Sequence, residues 1–159
     1  MDKIPSFSID HKHLLRGIYL SRQDTVGKEV LTTFDIRIKE PNREPVMDNA
    51  ALHTIEHLGA TFLRNDPQWA EKTVYFGPMG CRTGCYVIFK GDLTSKDVLP
   101  LITDMFRFIA DFNGDIPGAT ARDCGNYLEQ NLDMAKWESR KYLNEVLTKI
   151  TDANLNYPE

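Results

Sequence analysis

The stretch EVLTTFDIRIKE at residues 29–40 decides the fold class, because its β-branched and aromatic residues predict a strand. A similar stretch, RGIYLSRQD at residues 16–24, precedes it and predicts another strand. Farther along, KTVYFGPMGCRTGCYVIFKGD at residues 72–92 predicts two strand pieces around a Pro- and Gly-rich bend. The predicted strands therefore come early in the chain.

Three helices are predicted between and after these strands. The breaker PNREP at residues 41–45 precedes a helix that should start with Asp48 as its N-cap and end near Asn65. The second helix should run from Ser95 to Phe112, and the third from about Leu132 to Ile150. Because strands come first and helices alternate late, we predict an α+β fold, with an antiparallel sheet and helices packed on one face.

Length and charge narrow the class of protein. A chain of 159 residues suits one domain, residues 1–159. The net charge of −4 disfavours nucleic-acid binding, and no run of apolar residues is long enough to span a membrane. The opening sequence has no apolar segment of the signal-peptide kind, and the chain has three cysteines, an odd number. We therefore predict a cytoplasmic protein whose thiols serve chemistry or metal binding.

The string HTIEH at residues 53–57 carries the strongest chemical signal. On a helix, His53 and His57 project from the same face, so their imidazole nitrogens can converge on one cation. Glu56 lies at the edge of that face, where it can reach a substrate without being a ligand. The opposite side carries an apolar stripe for packing on the sheet, made of Ala51, Ile55, Leu58 and Phe62.

The cysteines offer a third metal ligand. A thiolate suits zinc or ferrous iron, and Cys124 in RDCGNY at residues 122–127 is the candidate. Cys81 and Cys85 in GPMGCRTGCY are harder to separate by their spacing. They fit metal ligands, a redox couple, or one reactive thiol beside one packing thiol.

Three interpretations of these residues remain open at this point. The histidine pair fits the surface of an ordinary helix, and HxxEH also matches the inverted zinc-peptidase pattern. A metallopeptidase would use Glu56 to activate a metal-bound water, with a downstream carboxylate as third ligand. A non-catalytic zinc-binding module would need a closed site of four ligands, for which Cys81 or Cys85 would join Cys124.

Five segments together resemble one known family. SFSIDH (6–11), FDIRIKEPN (34–42), HTIEH (53–57), GPMGCRTG (77–84) and RDCGNY (122–127) occur in an order similar to that of the bacterial S-ribosylhomocysteine lyases. This resemblance covers essentially the whole chain. It implies an enzyme that converts S-ribosylhomocysteine to homocysteine and 4,5-dihydroxy-2,3-pentanedione, the precursor of the quorum-sensing signal autoinducer-2, by carbonyl migration and β-elimination.

The resemblance also implies residue roles in catalysis. His53, His57 and Cys124 would hold one divalent metal ion per subunit, namely Fe²⁺, which Zn²⁺ or Co²⁺ can replace. Glu56 and Cys81 would be the two general acid/base groups.

The resemblance further implies how substrate and subunits are arranged. Ser6, His11 and Arg37 would bind the substrate, and the enzyme would be a homodimer with its sites at the subunit interface. Cys85 stands where the resemblance leads us to expect an aromatic residue. It is either a packing cysteine or one half of a peroxide-sensitive pair with Cys81.

Overall fold

A computed structural model describes residues 2, 4 and 7–158. The strands and helices follow one another along the chain as β1 (Gly17–Val26), β2 (Glu29–Arg37), α1 (Asn49–Asn65), β3 (Thr73–Pro78), β4 (Gly84–Lys90), α2 (Ser95–Asp111) and α3 (Leu132–Glu145). Among the residues described, no helix is both long enough and apolar enough to cross a membrane.

The four strands form one antiparallel sheet in the order β1-β2-β4-β3. Side chains alternate between its two faces, so Phe34 and Ile36 lie on the face that also carries their partners Val87 and Cys85. This face joins the helices in a single buried core. The predicted α+β class, the antiparallel sheet and the packing of helices on one face are confirmed.

The helix that carries HTIEH begins where the sequence predicts. Asp48 is its N-cap, and the Asp48 carboxylate accepts a hydrogen bond from the Ala51 amide at 3.1 Å. Ala51, Ile55 and Leu58 are buried in the predicted stripe, and Phe62 packs partly buried against the core. This packing fixes the helix on the sheet and turns its histidine face away from the core.

The predicted end of the third helix is wrong. Helix α3 stops at Glu145 rather than Ile150, and a 3-10 turn follows at Leu147–Lys149. The apolar period continues through Val146 and Leu147, which are buried, so the sequence pattern favours a longer helix. However, Val146, Thr148 and Ile150 are β-branched, which lowers helix propensity and lets the last turn tighten.

The second face of the sheet is only partly covered. Asp35 and Arg37 project from it and are buried, and the C-terminal segment packs over Asp35. There the ring of Tyr157 stacks on that of Tyr19 at 4.8 Å, and the Tyr157 hydroxyl donates to Asp35 Oδ2 at 2.9 Å. The rest of this face forms an open groove of about 320 Å³ lined by Ser21, Arg22, Asp24, Thr33, Tyr75, Tyr86 and Ile88.

We expect Asp48→Ala to lower the free energy of unfolding by about 1 kcal/mol, because the first turn of α1 loses its side-chain acceptor. Urea unfolding followed by circular dichroism measures this change. Asp48→Asn keeps an acceptor oxygen and should cost much less. If the alanine variant is as stable as the unmodified protein, Asp48 does not stabilise the helix.

Candidate metal centre and active-site cleft

Helix α1 and the loop before α3 bring the three predicted metal ligands together. The Nε2 atoms of His53 and His57 lie 3.0 Å apart, and Cys124 Sγ lies 3.5 Å from His53 Nε2. All three ligand atoms fall within 4.8 Å of one another. Residues four apart on a helix supply the two imidazoles, and a residue far along the chain supplies the thiol.

Backbone carbonyls fix the tautomers of both histidines. His53 Nδ1 lies 2.8 Å from the Glu129 carbonyl oxygen, and His57 Nδ1 lies 2.7 Å from that of Pro117. A carbonyl oxygen only accepts hydrogen bonds, so each Nδ1 must carry the proton. Nε2 is then the nitrogen of each ring that can offer a lone pair to a cation, and the two Nε2 atoms face each other. A cation between them would be coordinated by both rings, so the donor set fits a metal ion.

The number of ligands indicates the kind of metal site. Within the described part of the chain, no other His, Cys, Asp or Glu joins the cluster. Three protein ligands leave a coordination position open to substrate or water, which is typical of catalytic rather than structural zinc-type sites. The closed four-ligand arrangement that a zinc-binding module needs is therefore not found among the described residues.

The loop between α2 and α3 supplies the Pro117 and Glu129 carbonyls and the Cys124 thiol. Gly118 has φ 72°, and a Cβ built there would lie 3.3 Å from His57 Nδ1. Glycine thus lets the preceding Pro117 carbonyl reach the ring without strain. Farther along the loop, the Cys124 amide donates to the Thr120 carbonyl at 3.0 Å, and Cys124 Sγ accepts from the Asn126 amide at 3.5 Å.

A cleft of about 530 Å³ opens beside the metal ligands. The α1 wall contributes Glu56, which is half-buried, together with His53. The opposite wall is the turn between β3 and β4 at residues 78–80, and Cys81 follows directly in that turn. The side chain of Cys81 is exposed, and its Sγ lies 3.1 Å from Thr83 Oγ1. Glu56 thus lines the cleft from α1, and Cys81 lies between two residues that line its other wall, Gly80 and Arg82.

Cys81 and Cys85 have opposite environments. Cys85 is 0% exposed and belongs to the core between sheet and helices. Burial raises the pKa of its thiol, and the charges of Glu56 and Asp35 raise it further. The packing interpretation of Cys85 is confirmed. Because Cys85 has no exposed surface, the structure gives no support to the peroxide-sensitive pair with Cys81.

Comparison with known proteins decides the family. The family model described as S-ribosylhomocysteinase (LuxS) matches residues 4–153, nearly the whole chain. The chain belongs to the S-ribosylhomocysteinase family.

Curated relatives of this S-ribosylhomocysteinase family member span the same length. The chain is 63% identical over 158 residues to a Phocaeicola vulgatus protein named S-ribosylhomocysteine lyase, covering 99% of this chain and 98% of that protein. A protein of the same name from Clostridium beijerinckii is 61% identical, with 99% of both chains covered. One from Porphyromonas gingivalis is 60% identical over 100% of both.

The structure describes two of the three predicted substrate residues of this family member. Ser6 lies outside the described residues. His11 is half-buried, and its Nδ1 lies 2.9 Å from the Ile9 carbonyl oxygen, outside the metal cluster. The guanidinium of Arg37 is 2% exposed and contacts Asp35 and Thr83. Their contacts with substrate stay predictions.

The sequence does not reveal the groups that orient the predicted metal-ligating histidines in this S-ribosylhomocysteinase family member. The carbonyls of Pro117 and Glu129 have no sequence signal, since every residue has one. Thr54 was detectable, because it directly follows His53 in HTIEH. Its buried hydroxyl donates to Gln130 Oε1 at 2.7 Å and accepts from the Asn131 amide at 3.0 Å. Thr54 thus ties α1 to the segment whose Glu129 carbonyl orients His53.

We expect Thr54→Val to weaken metal binding about tenfold, the low end of the usual effect of losing an outer-shell contact. Valine keeps the shape but leaves the Asn131 amide unpaired, which loosens the Glu129 carbonyl from His53. Competition with a chromophoric chelator measures the affinity. Thr54→Ser keeps the hydroxyl and should bind the ion nearly as tightly as the unmodified protein. Equal affinity in the valine variant would remove this role from Thr54.

Proposed function

We propose that the chain is an S-ribosylhomocysteine lyase that releases homocysteine and 4,5-dihydroxy-2,3-pentanedione, the autoinducer-2 precursor. The observation that carries this proposal is the open cluster of His53, His57 and Cys124 beside a cleft that also holds Glu56. Its support is family membership and relatives of about 60% identity that bear the name S-ribosylhomocysteine lyase. The reaction also needs what this site offers: charge stabilisation on oxygen and two proton-transfer groups.

The cofactor we propose is one divalent metal ion per subunit, Fe²⁺, with Zn²⁺ or Co²⁺ able to replace it. His53, His57 and Cys124 would hold the ion. Two imidazoles and one thiolate suit these borderline-soft cations better than the oxygen-seeking Mg²⁺ or Ca²⁺. When bound, such an ion supplies Lewis acidity that stabilises negative charge on a sugar oxygen.

Glu56 and Cys81 carry the proton transfers in this proposal. Moving the sugar carbonyl from carbon 1 to carbon 3 takes protons from carbon and returns them to neighbouring atoms. With the carbonyl at carbon 3, removing the carbon 4 proton forms a double bond to carbon 5 and expels the homocysteine sulfur. Glu56 on α1 lines the cleft, and Cys81 on the β3–β4 turn lies between the cleft-lining Gly80 and Arg82, so the proposal assigns the two transfers to groups on different elements.

The proposed substrate contacts are those of Ser6, His11 and Arg37. Among the described residues His11 is bonded through Nδ1 to the Ile9 carbonyl, and the proposal assigns its Nε2 to the substrate. Arg37 supplies a positive charge: burial acts to lower its pKa, but the adjacent Asp35 carboxylate outweighs burial and raises the pKa above the ordinary value.

We also propose a homodimer with its sites at the subunit interface. Support comes from the open second face of the sheet, where Tyr75 is 46% exposed and Tyr86 and Ile88 are half-buried in a groove. An apolar patch of this kind is a typical protein–protein contact. Sedimentation equilibrium should give the mass of two chains, and a single-chain mass at micromolar concentration would contradict the dimer.

A cytoplasmic location completes the proposal. The three cysteines are free thiols, of which Cys81 is exposed and Cys124 belongs to the metal cluster. A compartment that keeps thiols reduced fits both roles.

The decisive experiment mixes protein purified without oxygen with S-ribosylhomocysteine and follows free thiol with a chromogenic reagent. Stoichiometric release of homocysteine is expected. The matched control substrate is S-ribosylhomocysteine reduced at carbon 1, which has no carbonyl to move and should release no thiol. Thiol release from both compounds would contradict carbonyl migration. Cleavage of test peptides without any thiol release would instead favour the metallopeptidase.

A further inference from the structure

A continuous line of hydrogen bonds leads from the C-terminal segment to Cys81. Tyr157 donates to Asp35, whose two carboxylate oxygens accept from Arg37 Nε at 3.0 Å and Arg37 Nη2 at 2.5 Å. Arg37 Nη1 then donates to Thr83 Oγ1 at 2.7 Å, and Thr83 Oγ1 lies 3.1 Å from Cys81 Sγ. The line crosses the second face of the sheet and ends at Cys81, between the cleft-lining residues Gly80 and Arg82.

The chemistry of the donors sets the direction of each bond. A guanidinium has only N–H groups, so Thr83 Oγ1 must accept the bond from Arg37. The single hydroxyl hydrogen of Thr83 is then left for another acceptor, and Cys81 Sγ is within reach. Thr83 is only 5% exposed, so water does not compete freely for that hydrogen. Burial also raises the pKa of Tyr157, which keeps that hydroxyl a donor to Asp35.

We propose that Thr83 is a positioning residue for Cys81, whose thiolate accepts the Thr83 hydroxyl hydrogen in a direction imposed by Arg37. Hydrogen bonds to an ionised acceptor are stronger than those to a neutral one, so this bond favours the thiolate over the thiol. Arg37 thus acts on Cys81 through Thr83 while remaining bound to Asp35. The inference rests on the proposed function only for the catalytic role that requires Cys81 to be a thiolate.

The backbone holds the two side chains in this relation. The Thr83 carbonyl accepts from the amides of Ile38 and Lys39 at 3.0 and 2.9 Å, which pins it to the end of β2. Arg82, between Cys81 and Thr83, has φ 60°, a left-handed conformation that costs free energy and marks a constrained turn. Gly84 lets the strands meet, because a Cβ there would lie 2.2 Å from the Ile36 carbonyl oxygen.

Among the described residues, several charged or titratable groups surround Cys81: Arg82 follows it in the turn, and Glu56 lines the cleft from α1. On β2, Arg37 interacts electrostatically with the thiol, and on β4 Tyr86 does so. Asp35 bears the nearest negative charge on the line, and its carboxylate is already paired with Arg37. The Thr83 hydroxyl is therefore the donor that links the positive end of this pair to the sulfur.

The test follows alkylation of Cys81 by iodoacetamide in the metal-loaded protein, with peptide mass mapping to separate Cys81 from Cys124. The thiolate attacks the reagent and iodide leaves, so the rate reports the thiolate fraction. Thr83→Val keeps the shape and removes the hydroxyl. Below the midpoint of the pH–rate profile we expect this variant to react about tenfold more slowly, the lower limit for losing a hydrogen bond to a charged group.

Two further variants make the result decisive. Thr83→Ser restores the hydroxyl and should recover the rate to within about twofold, since its hydrogen bond is kept. Thr73→Val removes another buried threonine hydroxyl on the sheet, bonded to the Trp69 carbonyl, and should leave the rate unchanged. If the valine variant at position 83 does not fold, as judged by its melting curve, Thr83→Ala takes its place.

Unchanged alkylation without the Thr83 hydroxyl would overturn the inference. Slow alkylation in Thr83→Ser would also overturn it, because packing rather than hydrogen bonding would then matter. The measurement needs no sugar substrate. A protein that fails to cleave S-ribosylhomocysteine but shows these rates would refute the proposed function and keep the Thr83–Cys81 link, and the reverse result would do the opposite.

Discussion

Cys81→Ala is expected to slow thiol release from S-ribosylhomocysteine by about 10²–10⁴-fold, the usual worth of one proton-transfer group. The metal content should not change, because Cys81 lies outside the cluster of His53, His57 and Cys124. The fold should also survive, since the side chain is exposed on a turn. Steady-state kinetics with metal analysis of the same sample measures both effects.

Cys85→Ala is the matched control, because it makes the same chemical change four residues away. The side chain of Cys85 is buried in the core, so this variant should melt at a lower temperature through the cavity it leaves. Its turnover below the melting transition should be close to that of the unmodified protein. If Cys85→Ala lost turnover and Cys81→Ala kept it, the assignment of the catalytic thiol would be reversed.

Cys124→Ala is expected to abolish stoichiometric metal binding. The metal affinity of the two remaining imidazoles should fall by more than the roughly 10–100-fold that outer-shell changes cause, because a direct ligand is lost. Activity should fall in parallel, and added metal at high concentration should restore little of it. Elemental analysis after gel filtration measures the bound ion.

The secondary structure of this variant provides its control. Cys124 lies in a loop without helix or strand, so circular dichroism should show an intact fold while the metal is lost. Cys81→Ala again serves for comparison, because it removes a thiol and should keep the ion. Full metal occupancy in Cys124→Ala would exclude Cys124 from the coordination sphere.

The sequence predicts α1 and the shared face of its two histidines well because the relevant signals are local. Asp48 caps the helix by accepting a hydrogen bond from the amide of Ala51, only three residues along the chain. The spacing of His53 and His57 alone puts them on one face. The strand regions follow from residue type in the same way. The end of α3 is predicted less well, because the apolar period runs on through Val146 and Leu147 while the backbone has already tightened.

The remaining parts of the site depend on contacts between distant segments. Neither Cys81 nor Cys85 carries a signal that separates an exposed turn from a core position, since the strand register decides that. Arg37 is named in the sequence only through the family resemblance, and its residue type gives no sign that it is buried against Asp35 and Thr83. The loop before α3 has no periodicity, so its approach to the histidines cannot be read from its residue types.

The two carbonyl contacts to the histidines have an evolutionary consequence. A peptide oxygen is present whatever amino acid occupies a position, so drift at Glu129 preserves the chemical group that His53 needs. Substitution of Glu129 therefore leaves the hydrogen bond to His53 in place, provided that the loop backbone keeps its path. Attempts to change which ion the centre prefers would then have to exchange the ligand side chains themselves, His53, His57 or Cys124, rather than the residues whose carbonyls orient the rings.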